Sequence, residues 1–598
     1  MRRVGLSRPE RTLLKRTLAL LLPYAVFAFL ALVSWNRWIE PFVDSGRELM
    51  VPWRVSRGEA LYREVHFHHG PLAPYAGAVL DRLAGRRLAV ATAFAALLAL
   101  LHLEALRRLA GRGLPAGRAA LAVGLVVALV FFLRPGGWLF PFSFDTAIAV
   151  TAVTWALVFV APSTAAGDLP TALCLIAALL SRPELGLAAM AAAGLEARSR
   201  PGRLRLLILL PLACAILVYA GLSIGTPLPI LISDGWLALL RPPEAFRNVY
   251  RSYAGLDRPG FRLVELALAA VLLLLIAALL AGAAAAARLA ARRPRLAGTA
   301  RALAPSLLAV TAFLALRPPA SLAQPLSLLP PLVRVVPLVV LAAALARLAC
   351  RALRRSPRGI FADVPDSTLF VAALFGTRLL LAAGYAGPYN AYFLPLPAVV
   401  ACAALWRGAE KAAPKVGDAL PGLVSSGLAV FLVFRLLVLA GAYRRPGWTS
   451  VPTPAGSLVL REPIAWTTRL ALEDLERRVP PGGTLAGFPE AGFFNFVLGR
   501  DNPLSLEQFF PGHLDAAGES RIIGRMKSHP PDAVVLMNVV AVGEGARAFG
   551  KDYLPRLDQA LRRDFSVVAV FGPGAGPDAR VGDPDFFIEI RVPKRRAP

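Results

Sequence analysis

The side chains best equipped for chemistry gather between Trp35 and Tyr75, in the stretch WNRWIEPFVDSGRELMVPWRVSRGEALYREVHFHHGPLAPY. Glu40, Asp44, Glu48, Glu59 and Glu64 stand there among Arg47, Arg54 and Arg57, and His66, His68 and His69 follow. An acid beside arginines can take a proton from a hydroxyl while the cations neutralise charge developing on a phosphate. Asp44 is the candidate base. The same residue has a structural reading, because Asp is a favoured helix N-cap and SGRELMVPW, with Glu48 in its first turns, begins as a helix would. Both readings stay open. HFHH suggests a metal site, yet His66 and His68 on an extended segment need a third ligand; the alternative is a hydrogen-bonding loop.

The elements that must position this stretch belong to a membrane protein. The 598 residues are 56% hydrophobic and only 17% charged, with a mean hydropathy of +0.58. That composition points to a polytopic α-helical membrane protein. The formal net charge of +28 falls mainly in short arginine clusters between apolar runs, as the positive-inside rule writes topology. No continuous basic face exists for phosphates to follow, so nucleic acid is not expected as a partner. Cys174, Cys214, Cys350 and Cys402 all lie inside apolar runs, which gives neither a disulfide framework nor zinc spacing. The basic start followed by an apolar run lacks a small-x-small cleavage pattern and reads as a retained signal-anchor.

Runs of about 20 apolar residues divide residues 1–441 into about thirteen spans. The first, 17–35, follows Arg2, Arg3, Arg8, Arg11, Lys15 and Arg16. This places the N-terminus in the cytoplasm and the first loop, 36–85, outside. A second large outer loop covers 224–261. Residues 169–197 read as two short helices meeting at Ser181-Arg182-Pro183-Glu184, because one helix would push the Arg198–Arg205 cluster outside. From 442 to 598 the composition turns charged and Gly- and Pro-punctuated. Helical patterning at 464–478, 518–528 and 553–563, with strand-like runs at 484–488, 533–537, 566–571 and 586–592, predicts a small extracytoplasmic α/β domain. It carries neither GxGxxG nor GxxxxGK[ST], so no nucleotide site is indicated.

Charges near a membrane cost about 2.5–3.5 kcal/mol each at a helix centre on insertion scales, so those away from cytoplasmic ends need a reason. Asp44, Asp145, Arg134, Arg182, Glu184, Arg317 and Arg378 are the ones this topology sends toward the outer leaflet. The arginines are candidates to hold a donor phosphate; for Arg134 and Arg317, near span ends, snorkelling to headgroups is the alternative.

Taken together, VDSGREL after the first span, GEALYREVHFHHGPLAPY, the SRPE turn and the late PYNAYFLPLP turn resemble the GT-C superfamily of membrane glycosyltransferases. The resemblance is to the branch related to protein mannosyltransferases and aminoarabinose transferases, often labelled glycosyltransferase family 39-like. It covers about 1–440 in layout, and FPEAGFFNFVLGRDNP looks like a segment common in this branch. The resemblance implies a polyprenyl-phosphate sugar donor, inversion at the anomeric centre and Asp44 as catalytic base. The family's loop usually carries two adjacent acids, whereas Asp44 is followed by Ser45 and Gly46. The second acid is then Glu48, and no cofactor is assigned, a divalent metal being left open. Supporting roles fall to Glu184, Asp145, His68, His69, Tyr75 and Tyr392.

The expectation is therefore a bacterial inner-membrane glycosyltransferase whose acceptor is a glycan, a lipid or a protein. The competing expectations are a transporter or flippase of lipid-linked sugars and a non-catalytic envelope scaffold. A transporter would favour midplane polar groups and paired broken helices.

Overall fold

In the computed structural model the apolar runs of the first half become helices that pack on one another. The structure describes residues 8–38, 41–132, 137–140, 142–160, 165–197, 200–233, 247–248, 251, 256, 258–291, 329–353, 356, 359–379, 389–416, 419–539, 548–574 and 585–594. The expected span at 303–316 and most of the 224–261 loop lie outside these residues, as do Arg134 and Arg317.

The first helices are α1 (Arg8–Ser34), α2 (Ser45–Ser56), α3 (Leu72–Ala84), α4 (Leu88–Gly113), α5 (Ala116–Val126), α6 (Phe144–Val160), α7 (Asp168–Ser181), α8 (Pro183–Ala197) and α9 (Pro201–Ser223). Helices Pro259–Ala291, Leu329–Ala352, Asp366–Thr377, Pro395–Val416 and Leu420–Arg444 follow. Among the described residues, four helices are long and apolar enough to cross a membrane: Leu88–Gly113, Pro201–Ser223, Val335–Ala352 and Leu420–Arg444. Shorter apolar helices such as Phe144–Val160 and Asp168–Ser181 accompany them. Helix α6 is apolar on all sides, and it is buried against α4, α7 and α8, the expected place for a helix without a polar face. The 169–197 stretch forms two helices, α7 and α8, which pack against each other with Arg182 at the joint. Helix Pro259–Ala291 outruns the apolar segment expected at 262–282, because the alanine-rich AGAAAAARLAA keeps strong helix formers going.

Beyond Arg444, β1 (Trp448–Val451) and β2 (Leu458–Arg461) form an antiparallel pair. A four-stranded mixed sheet comes next, built from β3 (Leu485–Phe488), β4 (Ala533–Met537), β5 (Phe565–Phe571) and β6 (Ile588–Pro593) in the order β3-β4-β6-β5. Strands β3 and β4 run parallel and the remaining pairings are antiparallel. Every residue of β3 and β4 is buried, in keeping with their uninterrupted apolar sequences. Helices Ile464–Arg478, Ala516–Ser528 and Pro555–Asp564 complete the unit.

Two hydrophobic cores result, one among the helices up to Arg444 and one around the sheet. The loop after α1 contributes to both, with Val55, Leu61, Val65 and Phe67 in the first. Trp38, Phe42, Leu49 and Met50, with Leu88 at the start of α4, are part of the second. Phe42 is fully buried, stacked on Phe494 and Phe586 at centroid distances of 5.6 and 5.7 Å. Burying one such ring is worth about 1.5–3 kcal/mol. Backbone bonds add to this: Trp38 donates to the Val459 carbonyl at 3.0 Å and His66 to the Ser505 carbonyl at 2.9 Å. The stretch richest in chemistry is thus clamped between the helical bundle and the sheet.

Candidate active site

Two glycines set the geometry of the clamp. Gly46, in the first turn of α2, lies so close to the Gly492–Leu498 helix that a Cβ would come within 2.8 Å of the Phe493 nitrogen. The motifs VDSGREL and FPEAGFF interlock there. Gly70 does the same for HFHHGP: a Cβ there would collide with the Leu180 carbonyl oxygen. Its amide donates to the Ser181 carbonyl at 3.0 Å, which fastens the histidine segment to the end of α7 beside Arg182.

Asp44 stands at the N-cap position of α2, with φ 63° and ψ −38° and no side-chain capping bond. The capping reading is therefore set aside. For a non-glycine residue this backbone is strained by about 1–3 kcal/mol and is kept only where surroundings over-determine it. The side chain turns instead to partners on both units. Gln508 Nε2 donates to Asp44 Oδ1 at 2.9 Å, and Arg47 Nη2 lies 3.4 Å from the same oxygen. The Asp44 amide donates to Glu490 Oε1 at 2.8 Å.

From Arg47 the polar groups run on, with one backbone step between Phe144 and Asp145. Its Nη2 donates to Glu48 Oε1 at 3.2 Å and its Nη1 to Gln508 Oε1 at 2.9 Å. Glu48 Oε2 accepts the Phe144 amide at 2.8 Å, at the start of α6. One residue on, Asp145 accepts from Ser143 Oγ at 2.6 Å and faces Arg182 Nε at 3.0 Å. That is an ion pair by distance, while the Nε hydrogen is directed to Thr146 Oγ1 at 3.1 Å. Arg182 Nη1 meets the His69 ring at 2.8 Å and lies 3.8 Å from Glu184. Glu184 Oε1 accepts from Arg378 Nη2 at 3.2 Å. The Arg378 guanidinium also sits 5.1 Å over the Phe393 ring.

Exposure orders this chain. Asp145 and Arg182 are 0% and 1% exposed, whereas Asp44 at one end is 24% and Arg378 at the other 33%. The middle is sealed and both ends are reachable. Burial pushes Glu48 up to about 8, with Arg47 pulling the other way and the neighbouring Asp145 charge adding to the rise. Burial also drives His69 down to about 3, aided by the adjoining Arg182, so its ring is neutral at physiological pH.

The structure thus brings together Asp44, Glu48, Asp145, Arg182, Glu184, His69 and Arg378. His68 lies nearby in a different group, edge-on to His66 and His513 at 4.4 and 5.5 Å. Burial, then the His66 charge, lowers its pKa well below the ordinary value. Tyr75 is 41% exposed on α3, and no hydrogen bond among the described residues joins it to the network. Tyr392 is buried edge-on to Trp138 at 5.0 Å. The sequence marks Arg47 only as one loop arginine among several, and gives Glu490, Gln508, Ser143 and Thr146 no role. An acid inside the apolar FPEAGFFNF was a usable signal for Glu490, but nothing in spacing joins it to a residue 446 positions away.

A divalent metal does not fit the described loop acids. Among the described residues no three His, Cys, Asp or Glu side chains are disposed to hold one. The Arg47 guanidinium bridges Asp44 and Glu48, in the seat a cation shared by these acids would need.

No family model and no curated protein matches the chain. Among solved structures, ArnT from Cupriavidus metallidurans bound to undecaprenyl phosphate is similar at 15% identity and TM-score 0.43, covering 98% of each chain. The Archaeoglobus fulgidus oligosaccharyltransferase in complex with zinc and sulfate is similar at 13% identity and TM-score 0.45, over 93% of this chain and 72% of that one. Its apo form gives 12% identity and TM-score 0.44, over 94% and 75%. With TM-scores below 0.5, these likenesses leave the functional reading to rest on the geometry above and on the sequence.

Proposed function

We propose that the chain is a GT-C-type glycosyltransferase that moves a sugar from a polyprenyl-phosphate donor to an acceptor hydroxyl at the outer face of the cytoplasmic membrane. The observation that carries this reading is the line of polar groups from Asp44 to Arg378, carried past Glu48 by the Phe144 amide, buried at its middle and open at both ends. In this reading Asp44 accepts the proton of the acceptor hydroxyl as the acceptor oxygen bonds to the anomeric carbon. The carbon–oxygen bond to phosphate breaks on the opposite side, and the electron pair leaves with the phosphate, giving inversion. Arg378, with Arg182 behind it, neutralises the leaving group. Arg134 and Arg317 stay candidates for the same task. Glu48, raised by burial and bonded to Arg47 and the Phe144 amide, positions and does not take the proton. No step passes through a metal.

The same reading puts the N-terminus in the cytoplasm and the 442–598 domain on the outer side, where it meets the first loop. A transporter would spread its polar groups along a path across the membrane; the network observed here lies at one end of the helices, where the bundle meets the sheet unit.

The test is direct. Purified protein is given labelled polyprenyl-phosphate hexoses and pentoses, with total envelope lipid and glycan as acceptors, and release of free polyprenyl phosphate is followed. Asp44→Asn should abolish release in protein that elutes and melts like the wild type. Undiminished release in that variant removes Asp44 as base. Wild-type protein that translocates the donor unchanged favours the transporter.

A further inference from the structure

Of the acids around Asp44, Glu490 is the one that the catalytic reading leaves without a task. It follows β3 and is fully buried. One oxygen, Oε1, accepts both the Asp44 amide at 2.8 Å and Gln508 Nε2 at 3.0 Å. The other, Oε2, is buried and makes no hydrogen bond among the described residues. Gln508 is brought alongside because the Phe509 amide donates to the Pro489 carbonyl at 2.7 Å. Its Nε2 then reaches Asp44 Oδ1 at 2.9 Å while its Oε1 accepts from Arg47.

From these contacts we infer that Glu490 and Gln508 are positioning residues for Asp44, supplied by the sheet unit to a site that is incomplete without it. The inference rests on the reading of Asp44 as base. Three observations converge on it. Asp44 keeps a strained backbone, and Glu490 is the side chain that holds its amide. Gln508 fixes the carboxylate oxygen that Arg47 also approaches. Finally, the backbones around Gly46 and Gly492 touch, so a shift of this segment would move the α2 start with it. Burial, then the Asp44 charge, also raises Glu490 well above the ordinary carboxylate value. That shift favours its neutral form and so lessens like-charge repulsion with Asp44.

Such residues act through orientation, and displacement of a reacting group by about 1 Å can cost on the order of 10²-fold in rate. Glu490→Ala and Gln508→Ala should each lower kcat for polyprenyl-phosphate release by at least about tenfold, with the donor KM changed by less than about threefold. Glu490→Gln retains an acceptor oxygen at the same place and should restore most of what Glu490→Ala loses. A second readout needs no turnover: amide hydrogen exchange of the 41–50 peptide should quicken in Glu490→Ala and stay slow in Glu490→Gln. An unchanged kcat in both alanine variants, or a Glu490→Ala protein in which the 41–50 amides stay protected, overturns the inference. So does a Glu490→Gln variant as inactive as Glu490→Ala with those amides protected, since Glu490 would then act in the chemistry itself. If the wild type releases no polyprenyl phosphate from any donor, the glycosyltransferase reading falls, and the exchange measurement still decides whether Glu490 holds Asp44.

Discussion

Replacing Arg47 by methionine removes a cation from the join between the two units while keeping much of its apolar stem. The guanidinium serves Asp44 at 3.4 Å, Glu48 at 3.2 Å and Gln508 at 2.9 Å, and it is 14% exposed. Breaking a buried ion pair by deleting one partner costs about 3–5 kcal/mol. Here two features reduce that figure. Asp44 is 24% exposed, so water screens part of its loss. Glu48, already raised to about 8 by burial, answers the loss of the cation by staying protonated. What remains is the orphaned Gln508 carbonyl, about 1–3 kcal/mol, and a fraction of the charge cost, giving roughly 3 kcal/mol in all.

Equilibrium unfolding in mixed micelles at neutral pH should register this loss. Arg47→Lys should fall between the two proteins, because one ammonium cannot serve three acceptors as a planar fork does. In a Glu48→Gln background the cost should shrink by about 1 kcal/mol, the coupling expected of groups in contact. An Arg47→Met protein within about 0.5 kcal/mol of wild type, as for an ordinary surface substitution, refutes the assignment of Arg47 as the bridging cation. A cost identical in the Glu48→Gln background refutes the Arg47–Glu48 link.

Three further outcomes follow from the same geometry. Glu48 has a folded value of about 8 against an ordinary value of 4.5, so the stability it contributes is complete below the lower value and is lost as pH climbs through the higher. The unfolding midpoint should drop between about pH 5 and about pH 9, and Glu48→Gln should flatten that slope; an equal slope in the variant excludes Glu48 as its source. Gly70→Ala drives a Cβ against the Leu180 carbonyl and should cost about 1–3 kcal/mol through overpacking while lowering polyprenyl-phosphate release, measured by unfolding and turnover on the same preparation. Because Arg47 holds the seat between the loop acids, chelation followed by gel filtration should leave release within about twofold of the untreated enzyme; activity lost to chelator and regained with a divalent ion counts against that assignment.

What the sequence determined by itself is whatever depends on local chemistry and composition. Apolar runs too long for a soluble core must become membrane-type helices, and clustered arginines mark their ends. The alternation from 442 onward requires a mixed unit of short strands and helices, since helical periods at 464–478 and buried runs such as AVVLM each have one stable use. Asp145, Arg182 and Glu184 stood out because charges beside apolar spans are costly enough to need partners. Pairings across hundreds of residues were decided only by the tertiary structure. Whether Asp44 caps α2 or turns away from it depends on a backbone angle, and the amide at that angle is bonded by Glu490, which no spacing rule connects to it. Arg47 looked like one loop arginine among several until folding set it between Asp44, Glu48 and Gln508. Gly70 carries no chemical signature, yet its lack of a Cβ lets His69 reach Arg182. The physical reason is one of range: hydrophobic periodicity is written in neighbouring residues, whereas the electrostatics of a buried site depend on which distant groups the two packed cores bring within a few ångströms.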